Sequence, residues 1–182
     1  MKIMGTQISG VKIIETDVYK DERGHFLESY HNNRYSSQGI QDNFVQDNLS
    51  YSKKNVLRGL HLQYRYPQAK LITVITGEIF DVAVDVRPES STFRQWVGVT
   101  LSENNQRQFF IPEGLAHGFC VLSDFAYVHY KCSQIYKPDD EFGIIWDDPD
   151  LNIEWPLDFP VVSAKDQQNL TLQGYVNSIK EA

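Results

Sequence analysis

The sequence predicts an all-β sandwich or barrel. About ten short β-rich runs recur at regular spacing, Gly and Pro punctuate them, and no long amphipathic helix interrupts the series. Ten Tyr and ten Phe in 182 residues point the same way, because aromatic rings suit a pleated, half-buried surface. Strands alternating with long helices would instead mean βαβ units, and that pattern is absent from the sequence. At this length, with 41% hydrophobic residues and neither an internal repeat nor a low-complexity linker, residues 1–182 read as one domain with a core of its own.

Taken in order, Val11 to Tyr19 is a β-rich run that ends at the turn signal Lys20-Asp21-Glu22-Arg23-Gly24. His25 to Tyr30 alternates, with Phe26, Glu28 and Tyr30 on one face. That face is either a solvated edge or a clamp, with Phe26 stacking on a planar ring and Glu28 accepting its hydrogen bond. Asn32 to Gly39 is the short helix, stopped by Gly39. Lys70 to Val86 gives two strands broken at Thr76-Gly77. The second has an apolar face of Phe80, Val82, Val84 and Val86, and an opposite face carrying Asp81 and Asp85. Two carboxylates in such a run cost heavily if buried alone, so that face is either solvated or lines a polar cavity. Trp96 to Leu101 pairs with Arg107 to Ile111, and Pro112-Glu113-Gly114 turns the chain into Ala116 to Leu122. Ala126 to Tyr136 alternates again, with Tyr130 and Cys132 on one face. Beyond Pro138 the chain is irregular until Ser163-Ala164-Lys165-Asp166 starts a C-terminal helical segment.

The stretch from Gln46 to Gln63 organises the rest. A long polar run leads into Val56-Leu57-Arg58-Gly59-Leu60-His61-Leu62-Gln63. Strict alternation puts Arg58, Leu60 and Leu62 on one face and Leu57, Gly59, His61 and Gln63 on the other. Gly59 inside the strand predicts a close backbone neighbour. A fixed cation, a glycine and an imidazole within four residues suit an anionic ligand beside an acid-base centre. A structural strand histidine accounts for the same residues equally well, and both readings stand at this point.

Composition narrows the function classes. A net charge of −7 argues against a nucleic-acid groove or an anionic membrane surface, while leaving room for a small basic pocket. No run approaches the ~20 apolar residues of a membrane span, and the N-terminus lacks the apolar segment of a signal peptide. Cys120 and Cys132 lack metal or redox spacing and read as buried reduced thiols, which predicts a cytoplasmic protein. Among the five histidines, Gln63 sits where a second ligand beside His61 would be, so no metal is expected. No nucleophile elbow or glycine-rich phosphate loop occurs. Acid-base chemistry by His, Tyr and Lys, with Arg holding a charged small molecule, fits best.

Several motifs recur in a fixed order: Asp21-x-Arg23-Gly24-x-Phe26-x-Glu28, Gln46-Asp47-Asn48, Leu57-Arg58-Gly59-Leu60-His61-x-Gln63 and Gly77-Glu78-x-x-Asp81. Pro112-Glu113-Gly114-Leu115-Ala116-His117-Gly118-Phe119, Tyr130-Lys131-Cys132, Trp146-x-Asp148-Pro149 and Ser163-Ala164-Lys165-Asp166 continue the series. From Val11 to Asp166 the chain closely resembles the dTDP-4-dehydrorhamnose 3,5-epimerase family. The resemblance implies a cupin-type jelly roll, a homodimer with exchanged N-terminal strands, and no metal or organic cofactor. It implies epimerisation of a dTDP-4-keto-6-deoxysugar at C3 and C5 through enolates. His61 matches the general base, Asp166 the carboxylate orienting it, Tyr130 the acid on the opposite face and Lys70 the enolate-stabilising cation. Arg23 and Arg58 match the diphosphate contacts, and Phe26 and Glu28 the thymine contacts supplied by a neighbouring subunit. Gln46, Asn48, His117, Tyr136 and Glu141 complete the substrate-binding set, and Asp81 and Asp85 are expected as partners of the catalytic cations. Leu115 stands where the family more often has an aromatic residue, and Tyr64 to Gln68 is variable ground at the site's rim. An epimerase acting at one carbon, a sugar-nucleotide ketoisomerase and a non-catalytic sugar-nucleotide-binding jelly roll share much of this pattern.

Overall fold

Inward and outward side chains alternate along the strands, and this closes two antiparallel sheets around a shared core. The computed structural model describes residues 1–180. In chain order the strands are β1 (Lys2–Gly5), β2 (Lys12–Glu15), β3 (Val18–Asp21) and β4 (Gly24–Leu27), followed by helix α1 (Asn32–Ser37). Next come β5 (Gln46–Lys53), β6 (Val56–Gln63), β7 (Lys70–Thr76), β8 (Glu78–Asp85) and β9 (Trp96–Ser102). β10 (Arg107–Ile111), β11 (Leu115–Val121), β12 (Phe125–Cys132), β13 (Glu141–Gly143) and β14 (Val161–Val162) precede helix α2 (Leu172–Lys180).

The first sheet runs β1-β2-β10-β7-β12-β5, and the second runs β13-β6-β11-β8-β9 with β14 alongside β6. β3 and β4 form a separate hairpin. This is the all-β sandwich expected from the strand spacing, in the jelly-roll form that the resemblance implied. Between the sheets lie Ile72, Val74, Ile79, Val99, Phe109, Phe119 and Val128 with their neighbours. Each such fully buried side chain contributes ~1.5–3 kcal/mol, so this end of the sandwich carries much of the stability. The outer face of the second sheet is covered by α2, whose Leu172, Tyr175 and Val176 meet Leu60, Leu62, Val82 and Val84. The first helical amide of α2, at Leu172, donates to buried Asp148 at 2.8 Å. α1 covers part of the first sheet through Tyr35, whose hydroxyl donates to Gln108 at 2.6 Å.

The turn at Thr76-Gly77 forms as expected. Gly77 has φ +88°, and a Cβ there would lie 2.1 Å from the Phe125 carbonyl oxygen. Elsewhere the structure departs from the sequence reading. The Val11–Tyr19 run divides into β2 and β3, and β1 precedes it. β9 and β10, expected as a pair, lie in different sheets, β9 beside β8 and β10 between β2 and β7. The polar run before Val56 is itself a strand, β5, with Gln46, Asn48, Ser50 and Ser52 turned inward. Its inner face is polar because it borders a cavity, so hydrophobic periodicity could not reveal it.

Candidate active site

At one end of the sandwich the apolar core gives way to inward polar side chains, which line a cavity of about 440 Å³. β6 brings two of them there by breaking its own alternation. Arg58 pairs with Phe119 and His61 with His117, so three steps on β6 match two on β11. The extra residue is a bulge, and it reverses the phase of the strand. Arg58 and His61 therefore both line the cavity, correcting the opposite-face expectation, while Leu60 and Leu62 turn outward. Gly59 sits in the bulge at φ +115°, and a Cβ there would lie 2.6 Å from Gly118 Cα. This is the close backbone approach that its position in the strand predicted.

Asp166 reaches His61 from a single 3-10 turn, Asp166–Gln168, whose first amide donates to Ser163 Oγ at 3.0 Å. Its Oδ1 lies 2.7 Å from His61 Nε2, and its Oδ2 accepts the Gly59 N–H at 3.4 Å. Burial works to raise this carboxyl, but the His61 hydrogen bond and charge, with the Gly59 and Ser163 donors, hold it below the usual carboxylate range. A carboxylate can only accept, so His61 donates from Nε2 and leaves Nδ1 as a basic nitrogen.

The other sheet supplies the facing wall. Tyr130 on β12 and Lys70 on β7 line the cavity from there. Burial pushes the Tyr130 phenol up, which favours its protonated form. Burial pushes the Lys70 ammonium down, with Cys132, Glu141 and Asp81 opposing that shift. Arg58 spends two donors on its own chain, Nε to Ser52 Oγ at 2.9 Å and Nη2 to the Tyr51 carbonyl at 3.2 Å. The guanidinium carries five N–H groups, so others remain for a ligand.

Gln46 and Asn48 are joined at 3.0 Å, and the Tyr136 amide donates to Gln46 at 2.8 Å. The Tyr136 hydroxyl donates to Glu141 at 3.2 Å, and Lys165 pairs with the same carboxylate. That hydrogen bond raises the Lys165 ammonium above its ordinary value. His117 also lines the cavity, its Nε2 2.5 Å from Asp81 Oδ1. The two carboxylates of β8 part company here. Neither lines the cavity: Asp81 meets the cavity-lining His117, whereas Asp85 accepts from Arg87, Ser90 and Thr92. Those donors overcome burial and hold the Asp85 carboxyl far below the usual range.

Three expected residues lie outside the cavity of a single chain. Arg23 pairs with Asp21 at 2.6 Å on the β3–β4 turn, and Phe26 is 69% exposed on the same hairpin. Glu28 lies just past the end of β4 and faces Arg34 at 3.2 Å, not a ring held beside Phe26. Conversely, Ser50, Phe119, Ser163 and Lys165 line the cavity without having been given a role, and Gln68 joins them from the segment expected at the rim. Ser50 follows from the two-residue period of Gln46 and Asn48, and Lys165 adjoins Asp166. Among the described residues, no group of three His, Cys, Asp or Glu side chains is placed to hold a metal ion. No described helix is long and apolar enough to cross a membrane.

Comparison with known proteins places these features in a family. The family model for dTDP-4-dehydrorhamnose 3,5-epimerase matches residues 5–174. The dTDP-4-dehydrorhamnose 3,5-epimerase of Salmonella typhimurium is 52% identical, the match covering 91% of this chain and 92% of that protein. The enzyme of the same name from Methanothermobacter thermautotrophicus is 51% identical over 91% of both chains. Among solved structures, dTDP-6-deoxy-D-glucose-3,5-epimerase from Legionella pneumophila superimposes with a TM-score of 0.92 at 54% identity. That match covers 94% of this chain and 93% of the other, whose crystal contains dTDP-4-keto-L-rhamnose.

Proposed function

This chain belongs to the dTDP-4-dehydrorhamnose 3,5-epimerase family, and we propose that His61, Tyr130 and Lys70 perform the family reaction in this cavity. The protein is an isomerase that epimerises dTDP-4-keto-6-deoxy-D-glucose at C3 and C5, giving dTDP-4-keto-L-rhamnose for dTDP-L-rhamnose synthesis. The observation that carries the residue assignment is the His61–Asp166 hydrogen bond, which opens onto a cavity walled on its far side by Tyr130 and Lys70.

The 4-keto group acidifies the hydrogens on C3 and C5. His61 Nδ1 takes one of these protons, and the C–H electron pair becomes the enolate double bond with its negative charge on O4. Asp166 stabilises the imidazolium so formed. Lys70 stabilises the enolate oxygen, an interaction strengthened by its low-dielectric setting. Tyr130 then gives its proton to the opposite face of the same carbon, and the enolate returns to the ketone. Solvent takes the proton from His61 and restores the one on Tyr130, and the cycle repeats at the second carbon. Base and acid must sit on opposite walls for inversion, and here they come from opposite sheets.

Arg58 holds the diphosphate, with Gln46, Asn48, Tyr136 and Glu141 around the rest of the nucleotide-sugar. Arg23, Phe26 and Glu28 act in a homodimer, where the β3–β4 hairpin of one copy reaches the cavity of the other. The hairpin joins neither large sheet and its Phe26 is exposed, and the first sheet carries outward apolar residues of its own, such as Leu49, Tyr51, Phe125 and Tyr127. Two buried free thiols, Cys120 and Cys132, suit a reducing cytoplasm.

Incubating the protein with dTDP-4-keto-6-deoxy-D-glucose in D₂O, with a reductase to trap product, tests the reading by NMR. Deuterium at both carbons and an L-configured product are expected. Exchange at one carbon only, or none despite binding, overturns it.

A further inference from the structure

We propose that Asp81 is a positioning residue for this reaction, fixing the tautomer of His117 so that its Nδ1 faces the sugar as a hydrogen-bond acceptor. The inference rests on the epimerase reading above and extends it to a carboxylate that never meets substrate. Asp81 is fully buried, 0% exposed, and its Oδ1 lies 2.5 Å from His117 Nε2. An ionised carboxylate can only accept, so the proton of that bond belongs to Nε2, and Nδ1 keeps its lone pair. His117 lines the substrate cavity, and among the described residues its Nδ1 has no protein partner. A hydroxyl of the deoxysugar is the donor that such a nitrogen would take.

The setting argues for function over fold. Asp81 Oδ2 is buried with no hydrogen-bond partner, a costly state that apolar residues of similar volume would remove. Asp81 and His117 sit buried on adjacent strands, β8 and β11, with Phe119 directly opposite Asp81. The charged and titratable groups around the pair are Lys70 on β7, His61 and Arg58 on β6, Tyr130 on β12 and Glu141 on β13. His117 therefore presents an acceptor to the cavity that Lys70 also lines, and the two groups orient the sugar from opposite sheets.

The first measurement is the tautomer of His117 in the wild-type protein, read from imidazole ¹⁵N shifts. The Nε2–H form is expected, and the Nδ1–H form overturns the proposal. The second is Asp81→Asn, whose amide can donate to Nε2 and so reverse the tautomer, as at other His–Asp pairs. Turnover should fall ~10–100-fold, with exchange at C3 and C5 slowed together and KM changed much less. In a His117→Ala background, Asp81→Asn should cost nothing further. Unchanged turnover in the single variant, or equal losses in both backgrounds, would overturn the assignment. Should Asp81→Asn fail to fold, the wild-type tautomer decides. If the wild type shows no exchange at either carbon, the epimerase reading falls, while the ¹⁵N result still judges the Asp81–His117 bond.

Discussion

His61 and His117 face each other across β6 and β11, and each donates from Nε2 to a carboxylate, yet their surroundings differ. The His61 side chain is 28% exposed and takes its carboxylate from a turn 105 residues away. His117 is 9% exposed, and its carboxylate comes from the neighbouring strand and is wholly buried. Asp166 fills its second oxygen with the Gly59 amide, whereas Asp81 leaves its second oxygen bare. A general base must reach substrate and exchange its proton with solvent, and the His61 pair has that access. A group that only orients the sugar must stay still, and the sheet holds the His117 pair in place.

The largest effect that could break this contrast is on turnover in His61→Ala, expected to fall ~10²–10⁴-fold in a reductase-coupled assay. Near-normal activity would end the assignment of His61 as base. Asp166→Asn should cost ~10²–10³-fold, more than Asp81→Asn, because it misorients the base and not a bystander. Equal losses in the two variants would erase the distinction between the pairs. Tyr130→Phe keeps the base but removes the acid used at both carbons, so exchange at C3 and C5 should persist while inversion at both is impaired. Undiminished inversion by NMR would require another role for Tyr130.

In stability the order reverses. His117→Ala strands the buried Asp81 charge and should cost ~3–5 kcal/mol in denaturant unfolding. His61→Ala leaves the Asp166 carboxylate its Gly59 N–H donor and should cost nearer ~1 kcal/mol. The smallest effect is on acid stability. The Asp166 carboxyl titrates lower in the folded protein than its ordinary value of 3.8, so the unfolded chain binds more protons between the two values. Its contribution is full above 3.8 and is lost as pH falls through the folded value. Acid unfolding of Asp166→Asn should lack that component, and an identical profile would remove it from the account.

Much of the site could be read before any coordinates. The cation, glycine and imidazole of Arg58, Gly59 and His61 suggested an anionic ligand beside an acid-base centre, although alternation set Arg58 and His61 on opposite faces. The motif series then pointed to Asp166, which no local spacing links to His61. What escaped was whatever depended on pairing between strands. β5 carries Gln, Asn and Ser inward, so its apolar pattern is missing although its two-residue period is intact. The shared face of Arg58 and His61 arises from a bulge against β11, visible only once the register is known. Asp81 and Asp85 look equivalent in sequence, yet one meets His117 and the other a loop of Arg87, Ser90 and Thr92.

By itself the sequence determined the class of fold, because side-chain period and turn residues act locally. It also supplied the His, Tyr and Lys proposed as base, acid and cation, because the motif series carries them. Only the tertiary structure decided which carboxylate meets which histidine and which wall holds Tyr130. Those outcomes depend on strand register and sheet packing, where a single inserted residue at Gly59 reverses what every later side chain of the strand faces.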